Sequence, residues 1–318
     1  MAQSPRSWPT NSSDPCISEP RGSTVSVFLQ ALVSGIVIGA IYALMTVGLT
    51  LVYGSLLTLN MAQGSYVMIG GYAALVLFEQ FGWSPWIGLV FAVVVTMVFG
   101  VATEVIAIRP LVGRKDIDFT MTAWISTLAV TLILSALALL VFGPESQTIP
   151  PLVAGTIVIG GVTLTWQSIT ILIIAFVALA GLSRFLNNTR HGLSVRAVAQ
   201  NHDAARLVGV KTKQVYMLTM ALAGGLAGIA GVLLAPLYFI NPVSGDLPML
   251  KGLIVAVLAG MGSIRGTIYA AFMIGLIESL SSTYVGAGSS LPIMFAIIIG
   301  VLIVRPNGLF GLQQEDRL

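Results

Sequence analysis

The sequence predicts an all-α fold, a polytopic transmembrane helical bundle with about 8 to 10 membrane segments, some of them discontinuous. Of the 318 residues, 56% are hydrophobic and only 8% are charged, whereas soluble domains carry about 25% charged residues. No charged residue or histidine occurs from Gly22 to Phe78. Apolar runs such as residues 86–102 are long and unbroken, unlike the short alternating strands of a membrane barrel.

Hydropathy divides the chain into nine apolar segments, and the segment at residues 250–262 is short for a membrane span. As a helix that segment would be only about 20 Å long, so it is interpreted as a half-helix or a re-entrant element. Valine and threonine residues around Gly160 and Gly161 predict a small β-hairpin in the polar loop 143–165. The segments are predicted at 28–54, 62–78, 85–108, 120–142, 166–183, 214–239, 250–262, 266–284 and 289–304.

Basic residues are concentrated in alternate loops. The positive-inside rule assigns these loops to the cytoplasm, which leaves the C-terminus inside and the N-terminus outside. An extra broken crossing in the first uncharged run would instead place the N-terminus inside. The assigned loops hold 12 of the 15 lysines and arginines, namely Arg109, Arg114, Lys115, Arg184, Arg190, Arg196, Arg206, Lys211, Lys213, Arg265, Arg305 and Arg317.

Composition also suggests how the chain is divided. Residues 1–23 read as a disordered polar tail that contains Cys16, the single cysteine, so an internal disulfide is excluded. Residues 24–312 form the predicted transmembrane domain, which includes a large cytoplasmic loop at 184–213. Residues 313–318 form a short cytoplasmic tail.

A polar stretch interrupts the first apolar run. Asn60, Gln63, Gly64 and Ser65 lie where amide and hydroxyl groups are costly unless they face protein or water. We interpret the stretch as a helix break that faces the interior of the bundle. Its polar groups either hydrogen-bond between helices or line a route for a polar solute.

Glu278 is the one carboxylate well inside an apolar span, which makes it a functional candidate. Three interpretations remain open: contact with the ammonium group of a solute, pairing within the bundle, or a position near the outer interface.

Closely spaced glycines predict tight helix packing, with a dimer interface as one location. Gly224 and Gly228 have the GxxxG spacing. The glycines assigned to packing are Gly224, Gly228, Gly231, Gly260, Gly262 and Gly266.

The large loop contains a predicted short helix. Asn201 is a suitable N-cap and Gly209 a suitable stop. Ala204 and Ala205 are expected on the face presented to a partner. The helix is either an arginine-rich interfacial anchor or a docking element for a cytoplasmic protein.

Four stretches, in order, resemble the branched-chain amino acid permeases of the LivH type, which are ABC importer permeases. The stretch "NHDAARLVGVKTKQV" looks like the coupling segment of such permeases. The sequence departs from the family pattern at Gln63, where histidine is usual, and at Arg265, where proline is usual. The other matching stretches are "GAIYALMTVGLTLVYGSLLTLNMAQGSYVMIGGYAA" at 39–73, "LKGLIVAVLAGMGSIRGTIYAAFMIGLIESL" at 250–280 and "RPNGLFG" at 305–311.

The resemblance implies a permease subunit of an ATP-driven importer in a bacterial inner membrane, moving branched-chain or other amino acids inward. It also implies a second, related permease subunit of the LivM type, with two cytoplasmic ATPases and an extracytoplasmic binding protein. ATP would bind to the partner subunits, so no cofactor is expected here. The residues it assigns to ATPase coupling are Asn201, His202, Asp203, Ala204, Ala205, Arg206, Leu207 and Gly209.

Other functions remain as alternatives. Permeases for urea, short amides or sugars share much of this pattern. An ion-coupled carrier or channel would be expected to carry a relay of ionisable groups, and Glu278 is the only deep candidate. The sequence contains no GxxxxGK[ST] loop and no HExxH motif, so neither ATP hydrolysis by this chain nor a metal site is expected. We therefore predict a transport subunit rather than an enzyme.

Overall fold

The computed structural model describes residues 24–114, 118–159 and 161–311. The two predicted tails, with Cys16, lie outside the described residues, as do Lys115 and Arg317. Within the described ranges each predicted segment corresponds to a helix, and the bundle is confirmed. The helices are α1 (Thr24–Leu56), α2 (Gln63–Phe81), α3 (Pro85–Thr103), α4 (Phe119–Phe142), α5 (Trp166–Asn188), α6 (Arg190–Gln200), α7 (His202–Leu207), α8 (Thr212–Leu234), α9 (Asp246–Ala259), α10 (Ile264–Tyr284) and α11 (Ser290–Val304).

Six of the described helices are long and apolar enough to cross a membrane. They are α1, α3 with its extension to Leu111, α4, α5, α8 and the stretch Ala287–Val304 that contains α11. The extension begins with a π-helical turn, Glu104–Ile108, where Glu104 pairs with Arg109 at 2.9 Å.

Short polar side chains start many of these helices by accepting hydrogen bonds from free backbone N–H groups. Pro85, which has no N–H to satisfy, follows the capping residue of α3. These caps explain why several helix starts were close to those predicted from sequence. The capping residues are Ser84 for α3, Asp118 for α4, Thr165 for α5, Thr189 for α6 and Ser263 for α10.

The predicted hairpin is confirmed. Strands β1 (Thr156–Ile159) and β2 (Val162–Thr165) pair antiparallel, with Thr156 opposite Thr165. The side chain of Gln30 in α1 hydrogen-bonds both backbone groups of Thr163, at 2.9 and 3.1 Å. The hairpin therefore marks the end of the bundle where α1 begins, which we call the hairpin end.

The opposite end, which we call the loop end, holds α6 and α7. Residues 305–311 also fold back here, because Leu309 and Phe310 donate backbone hydrogen bonds of 2.9 and 3.0 Å to Leu258 and Ala259 at the end of α9. Since α1 begins at the hairpin end, the start of α1 and the end of the described chain lie at opposite ends of the bundle.

Helix α8 lies at the centre of the bundle and α2 beside it. In α8, 15 of 23 residues are buried, and in α2, 13 of 19, whereas α4 buries only 4 of 24. This difference explains why α4 is apolar on nearly all sides while α2 and α8 are rich in small residues. A peripheral helix meets lipid, but a central helix must fit against other backbones.

The glycines of α8 that were predicted to pack closely lie against α2 and α3 of the same chain. A Cβ atom on Gly224 or Gly228 would collide with Thr96 of α3, and one on Gly231 would collide with Val67 of α2. Gly260 and Gly266 pack against residues 307–311 of the C-terminal segment.

The packing role predicted for Gly262 is wrong. Among the described residues, no atom lies within 4 Å of the position that its Cβ would occupy, and its backbone φ is +99°. Gly262 belongs to the turn between α9 and α10, where a left-handed backbone conformation favours glycine over residues with a side chain.

Gly70 offers a test of these close contacts. A Cβ there would lie 2.7 Å from the backbone of Gly228. We expect Gly70→Ala to lower the stability of the detergent-solubilised protein by about 1–3 kcal/mol, because two backbones must move apart. Gly181→Ala in α5 is the matched control, since no atom in the part of the chain that the structure describes lies within 4 Å of its Cβ position. A thermal melt in which both variants unfold alike would contradict this account.

Candidate functional site

The polar stretch forms a helix break, as predicted, between α1 and α2. Residues 57–62 do not form an α-helix, and Leu57 has a backbone φ of +54°. The break is held to α4 by the backbone N–H of Met61, which donates to the hydroxyl of Thr127 at 3.2 Å. We call Asn60, Gln63, Gly64 and Ser65 the polar crossing.

Asn60 and Gln63 have no exposed surface, and both make contacts within the chain. The Asn60 Oδ1 atom accepts a hydrogen bond of 3.1 Å from the backbone N–H of Ala62, just ahead of α2. The Gln63 amide donates to the carbonyls of Met45 in α1 and Ala223 in α8, at 3.3 and 3.1 Å. The Gln63 side chain therefore ties three helices together.

Two polar side-chain atoms of the polar crossing make no hydrogen bond with the described residues. Gln63 Oε1 and Ser65 Oγ are buried without a hydrogen-bond partner among the residues that the structure describes. Thr46 Oγ1, next to Met45 in α1, is in the same condition. Buried polar groups are normally paired, so these atoms offer one acceptor and two hydroxyls to a polar ligand.

The polar crossing is also where two helices begin. The start of α2 meets the start of α9, because a Cβ on Gly64 would lie 2.5 Å from the carbonyl oxygen of Gly245. A Cβ on Gly64 would also lie 2.8 Å from the Met249 side chain. Helix α9 has 14 residues, about 21 Å at 1.5 Å per residue, so the half-helix interpretation of this segment is supported.

The short helix of the large loop is α7, and its caps are as predicted. Asn201 Oδ1 accepts from the N–H of Ala204 at 2.9 Å. Gly209 has a φ of +86°, and the N–H of Val210 donates to the carbonyl of Ala205 at 3.0 Å. His202 hydrogen-bonds the hydroxyl of Tyr216 in α8 at 2.9 Å, which attaches α7 to the bundle.

The predicted docking face of α7 is wrong for Ala205. Its side chain is only 3% exposed and packs into the main hydrophobic core, whereas Ala204 is exposed. Leu207 and Val208 are the residues turned outward, with 89% and 79% of their surfaces exposed. The error has a physical cause: α7 is preceded by α6, which sequence reasoning missed, and α6 orients α7 so that Ala205 faces inward.

Comparison with known proteins decides the family. Residues 31–305 match the family described as "Branched-chain amino acid transport system / permease component". The chain belongs to this family. The permease is 32% identical over 305 residues to the high-affinity branched-chain amino acid transport system permease protein LivH of Escherichia coli K12, covering 92% of this chain and 98% of LivH.

Two other relatives show the range of the resemblance. BraD of Pseudomonas aeruginosa, also named as a high-affinity branched-chain amino acid transport system permease protein, is 31% identical over 305 residues, covering 92% of this chain and 98% of BraD. The fructose import permease protein FruF of Bifidobacterium longum is 26% identical over 275 residues, covering 83% of this chain and 73% of FruF.

Glu278 of the permease pairs within the bundle, one of the three alternatives left open by the sequence. Its carboxylate lies 2.6 Å from the Lys251 Nζ atom and accepts a hydrogen bond of 2.8 Å from the hydroxyl of Tyr42. Lys251 also lies 2.9 Å from that hydroxyl. The group, which we call the buried triad, joins α1, α9 and α10.

Sequence reasoning missed Lys251 and Tyr42 as members of this group. Lys251 is the sixth residue of α9, and only 14% of its side-chain surface is exposed. The available signal was a cation inside the short predicted segment 250–262, which needs a partner at membrane depth. Met249, two residues away, contacts the polar crossing at Gly64, so α9 connects the triad to the crossing.

Proposed function

We propose that this permease is the membrane subunit of an ATP-binding-cassette importer that carries branched-chain or chemically similar amino acids through the polar crossing. The observation that carries the proposal is the meeting of two helix starts, α2 and α9, beside the unpaired Gln63 Oε1 and Ser65 Oγ atoms. Broken helices at membrane depth commonly present such groups to polar solutes.

The chemistry of the crossing suits a zwitterion. Helix N-termini favour a carboxylate, a serine hydroxyl donates to one, and an amide oxygen accepts from an ammonium group. The buried residues beside the crossing, Met45 of α1 and Met249 of α9, are apolar, which suits an aliphatic side chain. The names of LivH and BraD favour branched-chain amino acids as the solute. The name of FruF, a fructose import permease, supports sugars as the alternative solute class.

The crossing is closed in this structure. Because Asn60 and Gln63 have no exposed surface, a solute can reach them only if neighbouring helices move apart. We propose that α2 and α9 separate at the contact between Gly64 and Gly245. We propose that ATP binding and hydrolysis by partner subunits drive this separation through α7. On this proposal the permease binds no ATP or metal and catalyses no reaction.

The partner subunits and the location complete the proposal. Two cytoplasmic ATPases would contact the loop end, an extracytoplasmic binding protein would contact the hairpin end, and a second permease subunit of the LivM type would lie alongside. The membrane would be the bacterial inner membrane. The family resemblance and the basic residues at the loop end support this arrangement.

Orientation can be tested with single cysteines in a Cys16→Ser background. Gln200 at the loop end and Glu145, which precedes the Gln147–Ile240 pairing, are exposed. We expect an impermeant thiol reagent to label Glu145→Cys in intact cells and Gln200→Cys only after permeabilisation. Labelling of Gln200→Cys from outside would reverse the proposed orientation.

Ser65→Ala tests the route without disturbing a hydrogen bond of the closed structure. Since Ser65 Oγ has no partner among the described residues, we expect unchanged thermal stability and about tenfold slower uptake of radiolabelled leucine, equivalent to about 1.4 kcal/mol. Unchanged uptake would remove Ser65 from the proposed route.

Ser279→Ala is the matched control for Ser65→Ala. Its hydroxyl donates to the carbonyl of Ala31 at 2.7 Å, so its loss should lower stability by about 1 kcal/mol. Uptake per folded molecule should stay at the parent level.

A further inference from the structure

A groove at the loop end of the bundle is not used by the proposed transport route. It lies between α3, α6 and α8 and has a volume of about 700 Å³. His191 and Ser194 of α6, Lys211 at the start of α8, and Gln214 form its polar side, while Val101 of α3 and Ala221 of α8 belong to its apolar side. The side chains of His191, Lys211 and Gln214 have no hydrogen bond or ion pair among the described residues.

The groove continues along the outside of the bundle. A second cavity of about 510 Å³ shares Val101 and Ala221 with the first and runs along α3. Its walls carry apolar side chains only. They are Met97, Val98, Val101, Ala102, Val105, Ile106 and Ala221.

The charges around the mouth are positive on balance. Arg206 and Lys213 flank Lys211 along the adjoining surface. Glu104, the nearest acid on α3, is fully buried and is paired with Arg109 at 2.9 Å. Asp203 is the one acid on the neighbouring α7. An anion at the mouth would therefore meet several cations and little repulsion.

We propose that this groove binds one anionic phospholipid, with its phosphate at Lys211 and His191 and an acyl chain along Val101, Val98 and Met97. The groove divides into a basic mouth and an apolar channel in the same order as a phospholipid divides into headgroup and chain. Basic pockets between membrane helices on the cytoplasmic side are the type of site that such headgroups occupy. The inference does not depend on which solute is carried, but it rests on the orientation that the proposed function assigns to the chain.

The site lies beside the helix assigned to coupling. Val208 and Gly209, directly after α7, line the groove together with Lys211. A lipid in the groove would therefore contact the segment that joins α7 to α8. It would restrict the position of α7 relative to the bundle.

Native mass spectrometry of the purified transporter complex tests the proposal. The complex is reconstituted in nanodiscs with equal amounts of phosphatidylglycerol and phosphatidylcholine, then released, and the lipids retained on the permease are counted. We expect the parent to retain one phosphatidylglycerol, and the double variant Lys211→Gln/His191→Gln to retain at least tenfold less. Equal retention of the two lipids by the parent, or an unchanged double variant, would overturn the proposal.

Val101→Trp tests the apolar channel with the basic mouth intact, and its expected result is the same loss of retained lipid. Arg265→Gln is the matched control, because Arg265 is an exposed cation at the loop end that does not line the groove, and it should retain lipid as the parent does.

Two further experiments test whether something other than a phospholipid occupies the groove. If glycerol 3-phosphate alone raises the melting temperature as much as phosphatidylglycerol does, the ligand is a soluble phosphate and the lipid proposal is wrong. If a photoreactive side chain placed at Val98 crosslinks to another protein subunit rather than to lipid, the groove is a subunit interface and the proposal is wrong as well.

Discussion

Lys251→Met is expected to destabilise the permease by about 3 kcal/mol, because it leaves the buried Glu278 carboxylate without its cation. The two side chains are 14% and 9% exposed, and their charged atoms lie 2.6 Å apart. Tyr42 still donates to Glu278 in the variant, which keeps the cost at the lower end of the range for a broken buried pair. The measurement is thermal unfolding in detergent.

The double variant Lys251→Met/Glu278→Leu separates the value of the pair from the cost of breaking it. Replacing both charges by apolar side chains is often neutral or stabilising, so we expect stability to return to within about 1 kcal/mol of the parent. Arg196→Met changes an exposed cation of α6 that has no hydrogen bond or ion pair among the described residues, and its stability should stay within about 0.5 kcal/mol of the parent.

Transport by the double variant then reports on function. If stability recovers and uptake does not, the buried triad contributes to transport beyond holding α9 in place. If uptake recovers as well, the triad is a structural connection among α1, α9 and α10. A Lys251→Met variant as stable as the parent would show that Glu278 does not depend on Lys251.

Leu207→Asp is expected to abolish uptake and co-purification of the ATPases, while membrane levels stay near normal. Leu207 is 89% exposed, so the substitution breaks no contact of the bundle. In a docked complex it would remove an apolar contact worth about 1.5–3 kcal/mol and would bury a charge instead. Pull-down of the ATPases and uptake in cells are the two measurements.

Two further variants, Leu193→Asp and Ala205→Glu, serve as controls for Leu207→Asp. Leu193 is 60% exposed on α6 of the same loop, and it should tolerate aspartate if α7 alone docks. Ala205 is 3% exposed, so glutamate there should prevent folding and lower the membrane level. If Leu207→Asp leaves ATPase binding intact, α7 is an interfacial anchor and coupling occurs elsewhere.

Much of the bundle was predictable from local sequence. Apolar length located the helices, as for α4, whose predicted start at residue 120 and observed start at Phe119 differ by one residue. Capping chemistry located α7 between Asn201 and Gly209. The paired glycines predicted the hairpin. Each of these signals acts over a few residues, so no partner from a distant segment is needed to interpret it.

The polar crossing includes a contact that local sequence patterns do not predict. Its residue types predicted a break facing the interior, but they did not predict that α9 begins against Gly64. That contact joins residues 64 and 245, and glycine carries no side chain from which a distant neighbour could be inferred. Ala205 failed in a similar way, because an alanine suits a docking face and a buried face equally well.

Composition and charge distribution were enough to predict a helical membrane bundle with most of its basic residues at one end, because the low dielectric of lipid requires long apolar helices and confines charge to the loops. How the isolated charges and polar atoms are used depends on the tertiary structure. It paired Glu278 with Lys251 across 27 residues, turned Leu207 rather than Ala205 outward, and left Ser65 Oγ buried without a partner among the described residues. These outcomes depend on which helices meet and at what height, and helix packing sets both through backbone contacts between small residues far apart in the chain.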